Sequence, residues 1–370
     1  MAATSSCLDS IKGRILIAMS GGVDSTVAAA LLIEAGYEVI GVTLLLQSCS
    51  EGDWGTSSCS SAGPTQAAAA AADLGIPHHL LDYRQQFHDV VLHYSWMEYS
   101  RGRTPNPCVV CNERIKFRFL LEAAKSLGAA KVATGHYVRQ ENAPGGGTLL
   151  KRGLDRGKDQ SYFLFSLDDR QRAAALFPVG RFTKYEVREK ARSLRLQNAD
   201  REESQDACFS TRGEAYAEVL RQHFRDQAQP GEVVDSEGRV LGSHQGFHQF
   251  TVGQRRGLGI ALGQKAWVKS IDPENARVTL TLNKNELLSH GLIAAGVRWH
   301  HPFPDSGSIS CLVQVRYRHV AVPAVVERIG PENVRVTFSQ PVRAVTPGQA
   351  AVFYDGDRLL GGGWIERSLS

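Results

Sequence analysis

The stretch that decides the fold is RILIAMSGGVDSTVAAALLIEAG, residues 14–36. Its first part, Ile15 to Met19, is a short apolar run of the kind that forms a buried parallel strand. After the small residues of SGGVDS, an apolar run from Thr26 closes at Gly36, which predicts a helix with a glycine stop. A strand, a glycine turn and a helix N-terminus aim backbone N–H groups at one point, so the stretch predicts an anion-binding site.

The glycine turn SGGVDS, residues 20–25, is not a Walker A loop, because no lysine follows the glycines. It resembles the SGGxDS turn of the PP-loop enzymes, which split ATP into AMP and pyrophosphate. The resemblance implies that the two serines donate hydroxyls to the phosphates and that the aspartate helps to hold Mg²⁺. The nucleotide-binding residues that it implies are Met19, Ser20, Gly21, Gly22, Val23, Asp24 and Ser25. The alternative is an ordinary strand–turn–helix corner, which the paired glycines between serines disfavour.

Length and composition are those of an ordinary globular protein. The 370 residues are enough for two or three domains. Hydrophobic residues make up 42% of the chain and charged residues 22%, which excludes a disordered or fibrous class. The formal net charge of +4 permits a nucleic-acid partner without demanding one.

The beginning of the chain and its apolar runs predict a cytoplasmic protein that does not enter a membrane. Residues 1–12 lack the basic start and apolar core of a signal peptide. Every apolar run is shorter than the ~18 residues that a membrane helix needs. In the cytoplasm most of the seven cysteines are expected to be reduced, so cysteines within motifs indicate catalysis or metal binding.

The fold class follows from how strands and helices alternate. Apolar strands at 37–46 and 76–82, with helices between them, predict an open parallel sheet with ligands beyond the carboxyl ends of its strands. After about residue 215, short β-like runs separated by turn residues predict small β barrels; 247–252 and 312–318 are two of them. We therefore expect an α/β protein with three parts: an N-terminal parallel-sheet PP-loop domain, a small β-rich central domain and a C-terminal β-barrel. The expected boundaries are 1–214, 215–285 and 286–370.

Two cysteines, Cys108 and Cys111, form a C-x-x-C within TPNPCVVC, and Cys208 lies far along the chain in ESQDACF. A C-x-x-C alone also occurs as half of a structural zinc site or as two incidental buried thiols. A redox dithiol would need a thioredoxin-like βαβ context, which the prolines do not provide. From these residues alone, the role of the cysteines stays open.

Longer strings then carry a family resemblance, because they occur in one order along nearly the whole chain: SGGVDS, GRTPNPCVVCNERIKF, ATGHY, KDQSYFLF, FPVGRFTKYEVRE, ESQDACF, FTVGQRRGLGIA, QVRYRH and PVRAVTPGQAAVFY. This set resembles the tRNA-specific 2-thiouridylases. The resemblance implies an enzyme that replaces the 2-oxygen of the wobble uridine of tRNA with sulfur. ATP adenylates that oxygen, so that AMP leaves instead of a poor leaving group, and pyrophosphate is released. The implied sulfur donor is a cysteine desulfurase or a sulfur-relay protein.

The resemblance also implies roles for the thiols. Cys208 matches the cysteine that carries the persulfide, and Cys111 matches the nucleophile that attacks the persulfide or releases sulfide from it. Because a thiolate must react, we expect Arg103, Arg114 or Lys116 to lower the pKa of the thiol. A second mechanism remains open, since Cys108, Cys111 and Cys208 together could ligate a [4Fe–4S] cluster with one open iron.

Other positions match family residues that contact the nucleotide or the tRNA. Leu44 and Gly135 match the adenine site and a turn at the nucleotide. The flipped base that such an enzyme must extrude would lie against a proline-rigid loop. Arg316 and Tyr317 are expected to alternate on a strand, where arginine meets phosphate and tyrosine stacks. The implied tRNA contacts are Asn106, Pro107, Cys108, His136, Lys158, Asp159, Gln160, Arg316, Tyr317 and Gln349.

Two other functions compete with this interpretation. A PP-loop adenylating synthetase of the amidotransferase type would explain the N-terminal half, but it leaves Cys111, Cys208 and the β domains without a task. A noncatalytic RNA-binding protein on the same fold is the other. The intact Ser20 and Asp24 and both thiols speak against it.

Overall fold

The computed structural model describes residues 12–47, 62–143, 146–201 and 215–370. The predicted persulfide residue, Cys208, lies outside these ranges, as do Cys7, Cys49 and Cys59. The helices in the described part are α1 Val23–Glu34, α2 Ala62–Asp73, α3 Arg84–Phe87, α4 His93–Ser100, α5 Pro107–Cys111, α6 Phe117–Ser126, α7 Asp169–Ala174, α8 Lys184–Ser193 and α9 Tyr216–His223. Turns of π-helix, His88–Leu92 and Asn112–Lys116, join α3 to α4 and α5 to α6.

The first sheet is parallel and contains the strand that opens the glycine turn. Its strands are β1 Arg14–Ala18, β2 Glu38–Leu45, β3 His78–Asp82, β4 Lys131–Ala133 and β7 Ala175–Leu176. They lie in the order β3-β2-β1-β4-β7, so β1 is central. From β1, the strands β2 and β3 are added on one side and β4 and β7 on the other. The glycine turn that follows β1 therefore lies at a topological switch point of the sheet.

Alternation along β1 explains the two layers of helices. Leu16 points into a core cluster with Phe117 and Leu120 of α6. Ile15 and Ile17 point the other way, into a cluster that includes α1, α2 and α8. Successive strand residues face opposite sides of the sheet, so a strand that is apolar throughout must be covered on both. The predicted parallel-sheet domain is confirmed.

The central part of the chain forms a small sheet of β8 Gly231–Val234, β9 Val240–His244, β10 Trp267–Asp272 and β11 Arg277–Thr281, in the order β10-β11-β8-β9. The strand predicted at 247–252 is wrong, because Phe247–Gln249 is a 3₁₀ turn. Phe247 and Phe250 are both buried in the core of this sheet. Residues three apart face the same side of a 3₁₀ turn, and their apolar character resembled a strand in the sequence.

The last part of the chain is a closed β-barrel, as predicted. Its strands are β12 Leu288–Trp299, β13 Ser308–Gln314, β14 Val322–Arg328, β15 Val334–Arg343, β16 Ala350–Asp355 and β17 Arg358–Leu369. They follow the order β12-β15-β14-β13-β16-β17, and pairing of β12 with β17 closes the barrel. The predicted domain boundary at 285–286 falls inside the 3₁₀ turn Lys284–Leu287, just before β12.

A hairpin from the N-terminal half joins the barrel. It consists of β5 Val138–Asn142 and β6 Thr148–Arg152, and β6 pairs with β17 at Lys151 and Arg358. Leu150 of the hairpin shares a core cluster with Tyr354 and Leu359 of the barrel. The N-terminal part and the barrel therefore have a common apolar core.

Candidate nucleotide and thiol site

The glycine turn between β1 and α1 is too crowded for side chains. Gly21 has a φ of +75°, and a Cβ atom there would lie 2.9 Å from the Cβ of Gln66 and 3.1 Å from the backbone N of Ala67. Gly22 caps α1 in an extended conformation. The turn thus brings bare backbone to the N-terminus of α1, where N–H groups bind anions.

The two serines of the turn hold it together. The Ser25 hydroxyl donates to the carbonyl of Gly22 at 3.0 Å and accepts from the backbone N of Ser20 at 3.3 Å. The Ser20 and Ser25 oxygens are 3.5 Å apart. Both hydroxyls therefore lie inside the turn, next to the helix N-terminus, where the sequence predicted contacts to phosphate.

Asp24 forms the centre of a charged group at the same place. Its Oδ1 accepts from the Lys184 ammonium at 2.6 Å and from the Tyr137 hydroxyl at 2.7 Å. Lys184 is only 9% exposed and begins α8. A capping box between Thr183 and Glu186 fixes that first turn, so the lysine is aimed at α1 by the helix it starts. A buried cation beside a glycine turn fits a polyphosphate, and the Asp24 carboxylate is a hard oxygen ligand suited to Mg²⁺.

Gly135, at the turn after β4, packs against the first turn of α1. A Cβ atom at this position would lie 2.8 Å from the backbone N of Ser25 and 2.9 Å from the carbonyl carbon of Asp24. Glycine is therefore required for this close approach. The predicted nucleotide role of Gly135 is compatible with this place beside the turn.

Two further side chains form hydrogen bonds with the glycine turn and the start of α1. Asn198 donates to the carbonyl of Gly21 at 3.1 Å and to the Thr26 hydroxyl at 2.9 Å. Arg201 donates to the same Gly21 carbonyl at 3.3 Å. Sequence reasoning missed Lys184, Tyr137, Asn198 and Arg201. Lys184 lies in the string FPVGRFTKYEVRE and Tyr137 in ATGHY, so the family resemblance could have indicated both. No string quoted for the resemblance contains Asn198 or Arg201.

Met19 and Leu44 lie near the carboxyl ends of the neighbouring strands β1 and β2. The backbone N of Met19 donates to the carbonyl of Val42 at 2.8 Å. The buried Met19 side chain belongs to the cluster under α1, whereas the partly buried Leu44 packs against the cluster under α6. The structure brings these residues to one edge of the sheet but on opposite faces.

The C-x-x-C lies on the short helix α5, which starts at Pro107. Proline suits the first helical position, because its missing N–H would have no helical partner there. Cys111 is 5% exposed and shares an apolar cluster with Val110, Ile115 and Leu220, whereas Cys108 is partly exposed. Among the residues that the structure describes, no three His, Cys, Asp or Glu side chains form a metal-binding group.

Of the three cations expected beside the thiol, Arg103 is held by two carboxylates. Arg103 forms ion pairs with Glu98 and Glu366, both at 2.8 Å. The charge of Lys116 contributes to lowering the pKa of the His136 imidazole, which shows that the lysine lies near this histidine. Arg114 is exposed.

The predicted persulfide residue, Cys208, lies in 202–214, outside the described residues. The chain on both sides of that segment is described. Before it, Arg201 contacts the glycine turn. After it, α9 places Val219 and Leu220 in the cluster of Cys111, and the Tyr216 hydroxyl donates to the Ser95 hydroxyl at 3.3 Å. The chain therefore enters this segment beside the nucleotide turn and leaves it beside the thiol helix.

His136 follows Gly135 and is held as a neutral imidazole. Burial, with a smaller effect of Lys116, lowers its pKa to about 3. Its Nδ1 lies 2.8 Å from the Thr134 hydroxyl, and its ring packs near Phe117 and Phe177. At neutral pH this side chain offers a hydrogen bond or a stacking surface rather than a positive charge.

The predicted tRNA segment Lys158–Gln160 is largely tied into the protein. The Asp159 carboxylate is buried and accepts from the backbone N of Gly153 and Ser161 and from Arg152 at 2.9–3.1 Å. Gln160 exchanges hydrogen bonds with the backbone of Tyr137. In this arrangement Asp159 holds the segment together and is not available to a ligand, while Lys158 is partly exposed.

The predicted strand through Arg316 and Tyr317 is wrong. β13 ends at Gln314, and a turn follows in which the backbone N of His319 donates to the carbonyl of Arg316 at 3.1 Å. Arg318 has a φ of +62°, which a strand does not permit. Tyr317 packs on Phe163 with ring centres 4.4 Å apart, so its stacking partner here is a protein ring.

Two remaining predicted contacts lie together at the loop before α5. Asn106 is buried and hydrogen-bonds with Tyr162. Gln349, from the barrel, donates its side-chain amide to the carbonyls of Thr104 and Pro105 at 3.1 and 2.9 Å. The structure thus joins these two residues to the start of the thiol helix.

Within the described ranges, no helix has the length and apolar character needed to span a membrane.

Protein-family models match three consecutive parts of the chain. A model described as the tRNA methyl transferase HUP domain matches residues 13–212. The tRNA methyl transferase PRC-barrel domain matches 217–281, and an aminomethyltransferase beta-barrel domain matches 289–365.

Curated relatives match nearly the whole chain. The tRNA-specific 2-thiouridylase MnmA of Carboxydothermus hydrogenoformans is 46% identical over 362 residues, which cover 96% of this chain and 98% of the relative. Its namesake from Geotalea uraniireducens is 42% identical, with 96% of each chain covered. Its namesake from Chloroflexus aggregans is 46% identical, with 96% of this chain and 98% of the relative covered.

Proposed function

The chain belongs to the tRNA-specific 2-thiouridylase family, and from that membership we propose that it replaces the 2-oxygen of the wobble uridine of tRNA with sulfur at the expense of ATP. One observation carries the proposal: the Asp24–Lys184 pair beside the glycine turn, in a chain that aligns end to end with 2-thiouridylases. We also propose a cytoplasmic location, since the proposed substrate is a tRNA.

The chain's own residues suit the triphosphate of ATP. Backbone N–H groups of the turn and of the first turn of α1 would bind phosphate oxygens, and Lys184 would offset their charge. Asp24 would hold Mg²⁺, which when bound neutralises phosphate charge. Gly135 lets the segment after β4 contact the backbone of the first turn of α1 closely. Met19 and Leu44 lie at the edge of the sheet where the base would be held.

The chemistry divides into two displacements. The uridine O2 attacks the α-phosphorus of ATP, a P–O bond to pyrophosphate breaks, and an adenylated uridine results. The terminal sulfur of a persulfide then attacks C2, and AMP leaves with the former O2. The enzyme's groups must therefore hold ATP, the extruded base and a sulfur donor within reach of one carbon.

We assign the persulfide to Cys208 and the nucleophile to Cys111. As the terminal sulfur bonds to C2, the Cys111 thiolate bonds to the Cys208 sulfur and the S–S bond of the persulfide breaks. A Cys111–Cys208 disulfide remains, which an external thiol reduces. The described ends of the segment that carries Cys208 support this pairing, because one contacts the glycine turn and the other packs with Cys111. A cysteine desulfurase or sulfur-relay protein reloads Cys208.

An iron–sulfur mechanism would use the same thiols, Cys108, Cys111 and Cys208, as ligands. Both routes bring new atoms to the buried Cys111 thiol, so its burial does not separate them. Anaerobic purification followed by iron and sulfide analysis separates the two routes. An enzyme free of iron and fully active excludes the cluster, and activity that follows iron content excludes the persulfide route.

The family-model descriptions mention methyl transfer, whereas the relatives are 2-thiouridylases. The glycine turn with Lys184 suits a polyphosphate, and the thiols of α5 suit sulfur chemistry, so sulfur transfer is favoured. A PP-loop synthetase remains the second candidate. It would show ATP–pyrophosphate exchange that depends on a small carboxylate and not on tRNA.

We propose two kinds of residues for tRNA binding, those that contact the RNA and those that hold the contacting segments in place. Asn106, Pro107 and Cys108 form the loop and helix start where the extruded base would lie. His136 offers a neutral imidazole, and Lys158, Arg316 and Tyr317 reach the surface in part. Asp159, Gln160 and Gln349 would act by holding these segments, since their side chains bond to the protein.

The test is mass spectrometry of nucleosides from unmodified tRNA incubated with the protein, ATP, Mg²⁺, cysteine and a cysteine desulfurase. We expect 2-thiouridine, with one AMP and one pyrophosphate formed per uridine. Reactions without ATP, or with Asp24→Asn protein, serve as controls. Absence of 2-thiouridine in the complete reaction, with the protein folded and ATP bound, contradicts the proposal.

A further inference from the structure

The loop of residues 102–106, which leads into the thiol helix α5, is held by three parts of the molecule. Its Arg103 side chain donates from Nε to Glu98 of α4 at 2.8 Å. The two terminal nitrogens of the same guanidinium donate to both carboxylate oxygens of Glu366 in β17, at 2.8 and 3.2 Å. One residue thus links the helical part and the barrel directly beside the thiols.

The barrel also contacts the backbone of this loop. The backbone N of Thr104 donates to the carbonyl of Pro347 at 2.9 Å, and the Gln349 amide donates to Thr104 and Pro105. Gly348 lies so close that a Cβ atom there would be 2.7 Å from the Thr104 carbonyl oxygen. The turn between β15 and β16 is therefore in direct contact with the loop.

The central sheet makes the third contact. The Thr104 hydroxyl donates to the Thr251 hydroxyl at 3.2 Å. A Cβ atom at Gly102 would lie 3.1 Å from a methyl carbon of Ile271 in β10. The segment that leads into Cys108 and Cys111 is therefore a place where all three parts of the chain meet.

The ion pairs of this junction are stronger than ordinary surface pairs. The side chains of Arg103 and Glu98 are 20% and 10% exposed, so removing one would leave the other charge buried without its partner. Glu366 is 43% exposed, and its contribution comes mainly from the bidentate geometry that fixes the guanidinium plane. Glu366 can therefore be changed without leaving a deeply buried charge.

We propose that Arg103 and Glu366 are positioning residues that fix helix α5, and with it Cys111, to the barrel. The inference rests on the proposed function, in which RNA bound by the barrel and central sheet must meet the thiol at a set distance. Displacement of a reacting group by about 1 Å costs on the order of 10²-fold in rate. Loosening the junction therefore slows sulfur transfer and leaves the binding of ATP and tRNA as it is.

The experiment compares Glu366→Gln, Glu366→Asp and a matched control, Glu122→Gln, which removes an exposed ion pair with Arg118 on α6. For each protein the alkylation rates of Cys111 and Cys311 by iodoacetamide are measured by peptide mass spectrometry. Cys311 is buried within the barrel and reports general loosening. This readout does not depend on catalysis, so it tests the junction even if 2-thiouridine is never formed.

We expect Glu366→Gln to raise the alkylation rate of Cys111 about tenfold, because the helix opens locally more often, with Cys311 unchanged. The kcat for 2-thiouridine formation falls about tenfold with the KM values for ATP and tRNA within twofold, and Glu366→Asp recovers part of both effects. An unchanged Cys111 rate overturns the proposal. So does an equal rise at Cys311, or a loss confined to the KM for tRNA.

Discussion

The Lys184 ammonium lies 2.6 Å from Oδ1 of Asp24 and joins the first turn of α8 to the first turn of α1. The two residues are 160 positions apart in the chain. Their pairing places a positive and a negative charge at the mouth of the glycine turn. A phosphate that enters would attract the lysine, and Mg²⁺ would attract the carboxylate, so each charge of the pair has its own part of the nucleotide to bind.

Replacement of Lys184 by methionine, which keeps most of the side-chain volume, tests this arrangement. Loss of a charge-assisted hydrogen bond to phosphate costs about 1.5–3 kcal/mol, so we expect the Kd for ATP to rise about tenfold or more. Isothermal titration calorimetry with ATP and Mg²⁺ measures it. Tyr185→Phe is the matched control, because that neighbouring side chain is 71% exposed. Unchanged ATP affinity in Lys184→Met would remove the lysine from the nucleotide site.

Gly135→Ala tests the close contact between the turn after β4 and α1. The added methyl would sit 2.8 Å from the backbone N of Ser25, so the two segments must separate. We expect a loss of about 1–3 kcal/mol in the free energy of unfolding, together with weaker ATP binding. Urea denaturation and calorimetry provide the two measurements. Gly330→Ala, where the nearest atom is 3.5 Å away, is expected to match the parent protein in both.

Cysteine replacements test the sulfur chemistry. We expect Cys111→Ser and Cys208→Ser each to abolish 2-thiouridine formation while tRNA affinity stays within about threefold, because a hydroxyl cannot replace the reactive thiolate. Cys311→Ala is the control. Burial raises the pKa of the Cys311 thiol to about 12, which disfavours its thiolate form in the folded protein at neutral pH. Nucleoside mass spectrometry and filter binding give the results, and activity in either serine variant would refute the assignment.

The pH dependence of stability reports on the buried His300. Burial, with a smaller effect of Arg172, lowers its pKa to about 3 from the ordinary value of 6.5, and its Nε2 donates to the Phe165 carbonyl at 2.7 Å. Above pH 6.5 the imidazole is neutral in both the folded and the unfolded state, so it does not change the free energy of unfolding. As pH falls from 6.5 towards 3, only the unfolded state takes up the proton, and the free energy of unfolding decreases. At pH 5 the unfolded state gains about 2 kcal/mol by protonation of this group.

The matching experiment measures the free energy of unfolding in urea at pH 7.5 and pH 5. His300→Gln keeps an N–H donor but cannot be protonated, so its decrease between the two pH values is expected to be about 2 kcal/mol smaller than that of the parent. The exposed His290→Gln is the control and should show the parent's decrease. An identical decrease in all three proteins would contradict a buried neutral imidazole at His300.

The sequence predicts best those parts of the fold that are determined by residues close together in the chain. The apolar strand before the glycines and the helix up to Gly36 follow from residues close together in the chain. Misassigned segments share a different cause. Around Phe247 and Tyr317, apolar or aromatic residues are placed by packing within turns, and their spacing resembles that of a strand.

Much of the candidate site depends on pairs that no local pattern encodes. The partners Arg103 and Glu366 are 263 positions apart, and the sequence suggested the arginine as a neighbour of the thiol instead. Charge and size are visible in a sequence, but which opposite charge a side chain meets is decided by the packing of distant elements. Asp159 illustrates the same limit, since a polar residue between Lys158 and Gln160 turned out to be buried.

The attachment of the hairpin to the last barrel strand has a consequence for biosynthesis. Arg139, in β5, bonds to Asp357, which is 218 positions later and directly precedes β17. A ribosome therefore releases the hairpin long before the strand that covers its edge has been made. Throughout that interval Leu150 lacks its barrel partners Tyr354 and Leu359, so the shared apolar core is completed only when the last strands have been made.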